Sequence, residues 1–407
     1  MQMGFDYPKV HDVHHVLRIA KTGGHMDFTL TEEQEMIRQA VRDFAEKEIV
    51  PKAQEIDKEH RFPKEIIRQM GELGFLGLPI PEEYDGVGAD TLSYAIAVEE
   101  VSRACGSTGI TYAAHTSLAC GPLLSFGTEE QKRKYLCPMA TGEWIGAFGL
   151  TEPEAGSDAG ATRTRAVRDG DEWVIDGRKN FITNGSIADV IIITAVTEPG
   201  AGTRGITNFI VEKGNPGFKP WRDEDKMGLR GSITSEIVFE DCRVPAENIL
   251  GQPGDGFKQF LAVLDAGRIS IGAMALGLAQ AAFERATEYA RTRVQFGRPI
   301  GKFQAIQWML ADMATEIDAA RLLVYRAAWL KDHAQGRFTR EAAMAKLYAS
   351  EAAERAAFKA VQIHGGYGYS SEYDVERIYR DQRLCSIGEG TSEIQRLVIA
   401  REVLGKL

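Results

Sequence analysis

The chain is poor in cysteine, has no surplus of basic charge and contains no long apolar run, and each shortage removes a class of protein. Its five cysteines, Cys105, Cys120, Cys137, Cys242 and Cys385, are odd in number, widely spaced and never form a Cys-x-x-Cys pair. Buried thiols in a reducing compartment fit that pattern better than a disulfide framework or a zinc site, and no metal is expected. Lys and Arg total 48 against 58 Asp and Glu, a net charge of −10. This argues against nucleic acid as a partner, because affinity for phosphate backbones needs a concentrated basic surface. No apolar stretch approaches the roughly 18 residues of a membrane span, so no membrane partner is expected. Also missing are a Gly-x-Gly-x-x-Gly after a strand, a P-loop, a His-Glu-x-x-His helix and a Gly-x-Ser-x-Gly elbow. Any cofactor must be held in another way.

What is present is ordinary globular composition: 44% hydrophobic, 26% charged, 42 Gly and 14 Pro in 407 residues, which excludes a disordered, collagenous or coiled-coil chain. That length exceeds the ~100 to 200 residues of a typical domain, so two or three are expected. Residues 1–25 carry His11, His14, His15 and His25, and a second methionine, Met26, opens a good helical pattern. The segment is expected to lie outside the fold, as a natural extension, a metal-binding tract or an appended tail. The rest reads as α+β in three parts. Residues 26–145 form an N-terminal all-α domain, with Thr31 and Gln34 as a capping box and Met36, Ile37, Ala40, Val41, Phe44 and Ala45 on one helix face. Pro63 is expected at the first position of the next helix. Residues 146–255 form a β-sandwich or barrel-like domain, in which 173–175 and 179–182 are expected to pair as a hairpin around Asp176-Gly177. Residues 256–407 form an antiparallel four-helix bundle with connections near Gly297, Gly336 and Gly365.

Three segments could carry chemistry. In residues 387–395, Glu389 lies between Gly388 and Gly390, which leave it open to a ligand, and Ser392 with Gln395 reads as a capping box at a helix start that would favour an anion. The same spacing fits a surface turn whose glutamate complements the helix dipole. Residues 150–158 gather hydroxyls and backbone donors at the entrance to the β-domain, and equally fit a Pro/Gly turn. Residues 180–185 could set Phe181 against a flat cofactor, or simply end a strand with a core aromatic.

Taken together and in order, these segments make the chain, over residues 27–407, resemble the acyl-CoA dehydrogenase family. Residues 148–157 and 181–183 look like its two flavin loops, 265–268 its substrate-facing helix segment, 293–297 its Arg-x-x-Phe-Gly element, 362–366 its Gly-Gly loop and 389–393 its catalytic-base segment. The resemblance implies FAD-dependent α,β-dehydrogenation of an acyl-CoA thioester to the 2-enoyl-CoA in fatty-acid β-oxidation. Glu389 would take the α-proton and flavin N5 the β-hydride, with electrons passing to electron-transfer flavoprotein. It also implies a homotetramer. FAD contacts are implied for Phe148, Leu150, Thr151, Gly156, Ser157, Phe181, Ile182, Thr183, Thr391 and Glu393, with Arg293, Phe296, Gln304, Gln362, Ile363, Gly365 and Gly366 reaching the FAD of a neighbouring subunit. Substrate contacts are implied for Ser157, Asp265, Arg268 and Gly390.

Some relatives place the base on the long helix, at the position that is Gly267 here; glycine cannot act, so Glu389 is the matched base. The chain departs from the common pattern at Phe181, where many members have Trp, and at Gly388, where medium-chain types have Tyr. The second departure should widen the pocket around the acyl Cα and Cβ, so a short and also a branched acyl group is expected. Glu99 stands where glutaryl-type members need an arginine, which disfavours dicarboxylyl substrates. Two alternatives compete: an acyl-CoA oxidase using O2, and a DNA-binding damage-response relative with little dehydrogenase activity. The expected location is the cytoplasm of a bacterium-like cell, with the mitochondrial matrix as the alternative.

Overall fold

A computed structural model describes residues 28–334 and 336–405, so the expectation for residues 1–25 lies outside the described residues. The described residues open with α1 (Glu32–Phe44), α2 (Ala53–Glu59), α3 (Lys64–Glu72), α4 (Thr91–Ala104), α5 (Gly106–Ala113) and α6 (Gly121–Phe126). Thr31 and Gln34 form the expected capping box. Pro63 is the residue before α3 rather than its first. On α1 the expected apolar face is narrower than its composition: Val41 and Ala45 are buried, whereas Met36 is 67% exposed and Ala40 also faces out.

Eight strands follow: β1 (Gly146–Gly149), β2 (Arg165–Asp169), β3 (Glu172–Thr183), β4 (Val190–Val196), β5 (Ile206–Glu212), β6 (Phe218–Asp223), β7 (Thr234–Pro245) and β8 (Ile249–Leu250). They form one hydrogen-bonded sheet in the order β6-β7-β3-β2-β4-β5-β8, with β1 parallel to β4. The expected hairpin at Asp176-Gly177 is not there. The turn falls earlier, between β2 and β3, and Gly177 lies inside β3 at a register shift against β7. Its φ of +153° and the closeness of Thr164, 2.5 Å from where a Cβ would stand, make it a strand glycine at a bulge.

The C-terminal part contains α7 (Gly256–Thr292), α8 (Gln304–His333), α9 (Thr339–His364), α10 (Asp374–Asp381) and α11 (Ser392–Leu404). At 37 residues α7 is about 55 Å long. Among the described residues it is the one helix long and apolar enough to cross a membrane by length and composition, but 72% of its apolar window is buried within the fold. It packs against α8 and α9 and also against α4. The first and last parts of the chain therefore share a core, in which Val41, Ile96 and Val101 join Ile269, Met274 and Leu276. The sheet has its own core, around Ile175, Ile193, Phe209 and Phe239. A third cluster, including Leu123, Phe148, Ile192 and Phe260, joins sheet and helices.

Candidate active site

Glu389 lies in the short connection into α11. Thr391, rather than Ser392, caps that helix: its hydroxyl accepts from the Ile394 N–H at 3.3 Å. Gln395 does not complete a capping box but turns back, its Nε2 donating to the carbonyls of Glu389 at 3.2 Å and Gly390 at 2.9 Å. The turn is left-handed at both residues, φ +53° and +92°. The φ of +92° favours glycine at 390, where a Cβ would also stand 2.8 Å from Gln395 Nε2 and displace it from its bonds to the turn. The peptide N–H of Glu389 has no hydrogen-bond partner among the described residues.

The Glu389 carboxyl reaches α7 at Gly267, in the first third of that helix. Its Oε2 is buried without a hydrogen-bond partner. A Cβ built on Gly267 would lie 2.1 Å from that oxygen, so glycine at 267 is what lets the carboxyl occupy this space. Burial pushes the Glu389 carboxyl up to about 7, against the pull of the Lys346 and Arg268 cations. Arg268 is itself buried, its Nη1 donating to Asp265 Oδ1 at 2.6 Å while its Nε has no partner. Asp265 also accepts from the Thr339 hydroxyl, and is thus committed to an ion pair and a helix junction. Next to this group is a cavity of about 310 Å³, mostly apolar, lined by Tyr94, Ser117, Leu124, Phe126, Val263 and Ala266 among others. Ala266, which lines the cavity, adjoins Gly267, the residue against which Glu389 Oε2 lies. A Cβ at Gly388 would find only Leu384, at ordinary contact distances of 3.5 to 3.6 Å. Glu99 is buried and already holds Arg321 and Tyr325, at 2.9 and 2.8 Å.

A second group gathers at one edge of the sheet. The loop after β1 is tied to β3 by the Asn180 N–H donating to the Thr151 carbonyl at 2.7 Å. Lys179, fully buried, donates to Glu152 Oε1 at 2.7 Å, to the Leu150 carbonyl at 3.2 Å and to the hydroxyls of Thr162 and Thr194. Despite burial, Lys179 and the neighbouring hydroxyl and amide donors hold the Glu152 carboxyl down to about 2. Leu150 and Thr151 are thereby tied to the end of β3 that carries Phe181 and Thr183, and Gly156 and Ser157 follow in the same loop. Phe181 is 62% exposed at φ +57°, a backbone state that costs a non-glycine residue on the order of 1 kcal/mol. Phe148 and Ile182 are buried in the sheet, so Ile182 can offer a ligand only its backbone. The hydroxyls of Thr151, Ser157 and Thr183 make no hydrogen bond among the described residues, and a Cβ at Gly156 would meet nothing within 4 Å. An exposed flat ring, free hydroxyls and an open glycine fit a flavin with its polar tail.

A third group lies at the ends of α7 and α9. Arg293 stacks its guanidinium 5.3 Å from the Tyr367 ring, joining the 293–297 ribbon to the 362–366 loop. Phe296 is 92% exposed at φ +52°, Gln304 opens α8, and Gln362, Gly365 and Gly366 are exposed, whereas the Ile363 side chain is buried. Glu393 is exposed on the first turn of α11. Reading the sequence missed Lys346, Tyr94, Ser117 and the Lys179–Glu152 pair. Lys346 had a signal: it keeps helical register with Ala342, Ala349 and Ala353, all fully buried.

Three successive stretches match domains of one family: the acyl-CoA dehydrogenase N-terminal domain over residues 31–143, the middle domain over 147–242 and the C-terminal domain over 254–404. The chain belongs to the acyl-CoA dehydrogenase family, FAD-dependent oxidoreductases acting on acyl-CoA thioesters. It is 59% identical to the Bacillus subtilis protein named "Probable acyl-CoA dehydrogenase YngJ", covering 93% of this chain and 100% of that one. It is 53% identical to the short-chain specific acyl-CoA dehydrogenase of Clostridium acetobutylicum, with 93% and 100% covered. Among solved structures, butyryl-CoA dehydrogenase from Megasphaera elsdenii superimposes with a TM-score of 0.91 at 47% identity, covering 93% of this chain and all of that one. A chain from work on the electron transferring flavoprotein of Acidaminococcus fermentans gives 0.93 at 51% identity, covering 94% and 100%.

Proposed function

We propose that this enzyme oxidises short-chain acyl-CoA thioesters, with Glu389 as the base that removes the α-proton. The observation that carries the reading is the unpartnered, buried Oε2 of Glu389, on a carboxyl whose burial moves its titration to about 7. A base works best when its pKa lies near the working pH, and an unpartnered oxygen has no hydrogen bond to break before it accepts a proton. FAD, when bound, supplies the hydride acceptor. It would be held by Thr151, Ser157 and Thr183, with Phe181 beside its ring system and Leu150, Gly156 and the Ile182 backbone completing the cradle. The free Glu389 N–H is a donor for the thioester oxygen, where charge grows as the α-proton leaves. The mostly apolar cavity lined by Tyr94, Val263 and Ala266 takes the acyl chain and keeps water from the carboxyl. Gly388 leaves room for a branch near the reacting carbons, and Glu99, already paired, offers nothing to a distal carboxylate.

Substrate length is supported by the short-chain specific and butyryl-CoA relatives. Electron-transfer flavoprotein as acceptor is supported by the A. fermentans neighbour. A homotetramer fits the exposure of Phe296, Trp308 and Tyr369, with Arg293, Gln304, Gln362, Gly365 and Gly366 completing a neighbour's FAD site. The net charge of −10 and the burial of α7 support a protein that engages neither nucleic acid nor membrane, and the bacterial relatives support a cytoplasmic location. The test is anaerobic titration of the flavin-loaded enzyme with a panel of saturated acyl-CoAs. Butyryl- or a short branched acyl-CoA should bleach it first, and Glu389→Gln should keep its yellow flavin while losing bleaching and turnover. Turnover by the Gln variant would overturn the assignment.

A further inference from the structure

Lys346 is the most deeply buried cation near the site, and the reaction as described does not use it. It is 0% exposed, among the buried Ala342, Ala343, Ala349, Ser350 and Ala353 of α9. Burying an ammonium is strongly unfavourable unless something in the fold needs it there. Its Nζ donates to the Gly390 carbonyl at 2.6 Å, the same oxygen that Gln395 holds at 2.9 Å. Two donors from two helices therefore converge on one carbonyl of the left-handed turn that carries Glu389. Around the ammonium stand Cys385 from the segment before the turn, Glu389 within it, Glu393 on α11 and Arg268 on α7. Around the Glu389 carboxyl stand Lys346, Arg268 and the Tyr94 hydroxyl of α4.

We propose that Lys346 is a positioning residue for Glu389: seated on the Gly390 carbonyl beside Gln395, its ammonium supplies the charge that keeps the carboxyl ionised within a buried pocket. The inference rests on Glu389 being the base. Gln395 duplicates the hydrogen bond to Gly390 but carries no charge, so the two contributions separate. Burial drives the carboxyl up to about 7, and Lys346 and Arg268 oppose that rise. Arg268 is already neutralised by Asp265, which leaves Lys346 as the cation without a carboxylate of its own.

The experiment compares Lys346→Met, Lys346→Gln and Lys346→Arg as flavin-loaded enzymes, with Glu389→Gln as reference. Methionine keeps the length of the stem and removes a buried charge, while Gln395 still holds the turn. We expect Lys346→Met to bind FAD and to move the acid limb of kcat/KM upward by roughly one pH unit, about a tenfold loss on that limb. Rates should converge toward wild type at high pH, and Lys346→Arg should keep the wild-type limb. Difference infrared titration of the carboxyl band that disappears in Glu389→Gln should move by the same amount, independently of turnover. Should the Met variant lose flavin, Lys346→Gln is read in its place. An unmoved limb and unmoved carboxyl band, or a uniform loss at every pH, would overturn the proposal and leave Lys346 a packing residue. A Glu389→Gln variant that still turns over would instead overturn the reading of the base.

Discussion

Replacing Gly267 by alanine should separate stability from activity. The added Cβ would stand 2.1 Å from Glu389 Oε2 and 3.0 Å from Leu118 Cδ2. Non-bonded heavy atoms settle at about 3.5 Å, so the carboxyl must retreat by more than about 1 Å. It can, because it is the end of a flexible side chain, so the fold is not forced apart. Alanine also suits a helix interior better than glycine by about 1 kcal/mol, so Tm should be unchanged or higher. The reaction is less forgiving: a misplacement of ~1 Å costs on the order of 100-fold, or about 2.7 kcal/mol of transition-state stabilisation. Steady-state kcat/KM with butyryl-CoA, read beside flavin content and Tm, gives the answer. A Gly267→Ala enzyme within a few-fold of wild type, with flavin and Tm intact, would show that the carboxyl does not work from where it lies.

Lys179→Met strands the Glu152 carboxylate, and breaking a buried pair from one side should cost about 3–5 kcal/mol; denaturant unfolding should show that loss, together with weaker FAD retention, because Lys179 also holds the Leu150 carbonyl. A variant with wild-type stability and flavin content would show the pair to be dispensable. Phe296→Asp places a charge on a side chain that is 92% exposed in the single chain. Light scattering should find four chains in the wild type and fewer in the variant, with less FAD retained; a wild-type monomer would refute the assembly. His115 is buried, its Nδ1 accepting from the Gly146 N–H at 3.0 Å and its Nε2 donating to the Met139 carbonyl at 3.0 Å. Burial lowers its pKa from 6.5 to about 4, so the unfolded chain binds the proton first. Stability is then fully present above pH 6.5 and falls by on the order of 3 kcal/mol as the pH drops toward 4. His115→Gln should flatten that slope in urea titrations at successive pH values, and an unchanged slope would sink the account.

The long helices were legible because their apolar residues recur at helix spacing over many turns, and α7, α8 and α9 fall close to where that rhythm places them. The β-domain was harder. Asp176-Gly177 has the composition of a hairpin turn, but here the glycine is needed because Thr164 crowds the strand, a long-range contact that local spacing does not carry. β6 and α10 were not read: β6 is mostly exposed and carries Pro220 with no alternation of apolar and polar residues, and α10 is only eight residues long. The core shared between the N-terminal helices and the bundle was equally hidden, since each helix shows that it has an apolar face and not which partner covers it.

Glu389 was visible as a residue, while its chemical state depends on parts of the chain that are far away in sequence. The two glycines beside it and the helix after it predict an accessible carboxylate, with the helix N-terminus pulling its pKa down and loss of water pulling it up, and local sequence does not weigh one against the other. The fold decides that balance. Gly267 removes the side chain that would otherwise fill the space, the carboxyl turns inward onto α7, and burial then outweighs the nearby cations. The same absence of a side chain explains why glycine at 267 and glutamate at 389 belong together. A carboxylate on α7 would need the volume that Glu389 Oε2 already fills, so this pocket has room for one proton acceptor and not two. In this chain the place of that carboxyl therefore depends on positions 267 and 389 read jointly, and neither position decides it alone.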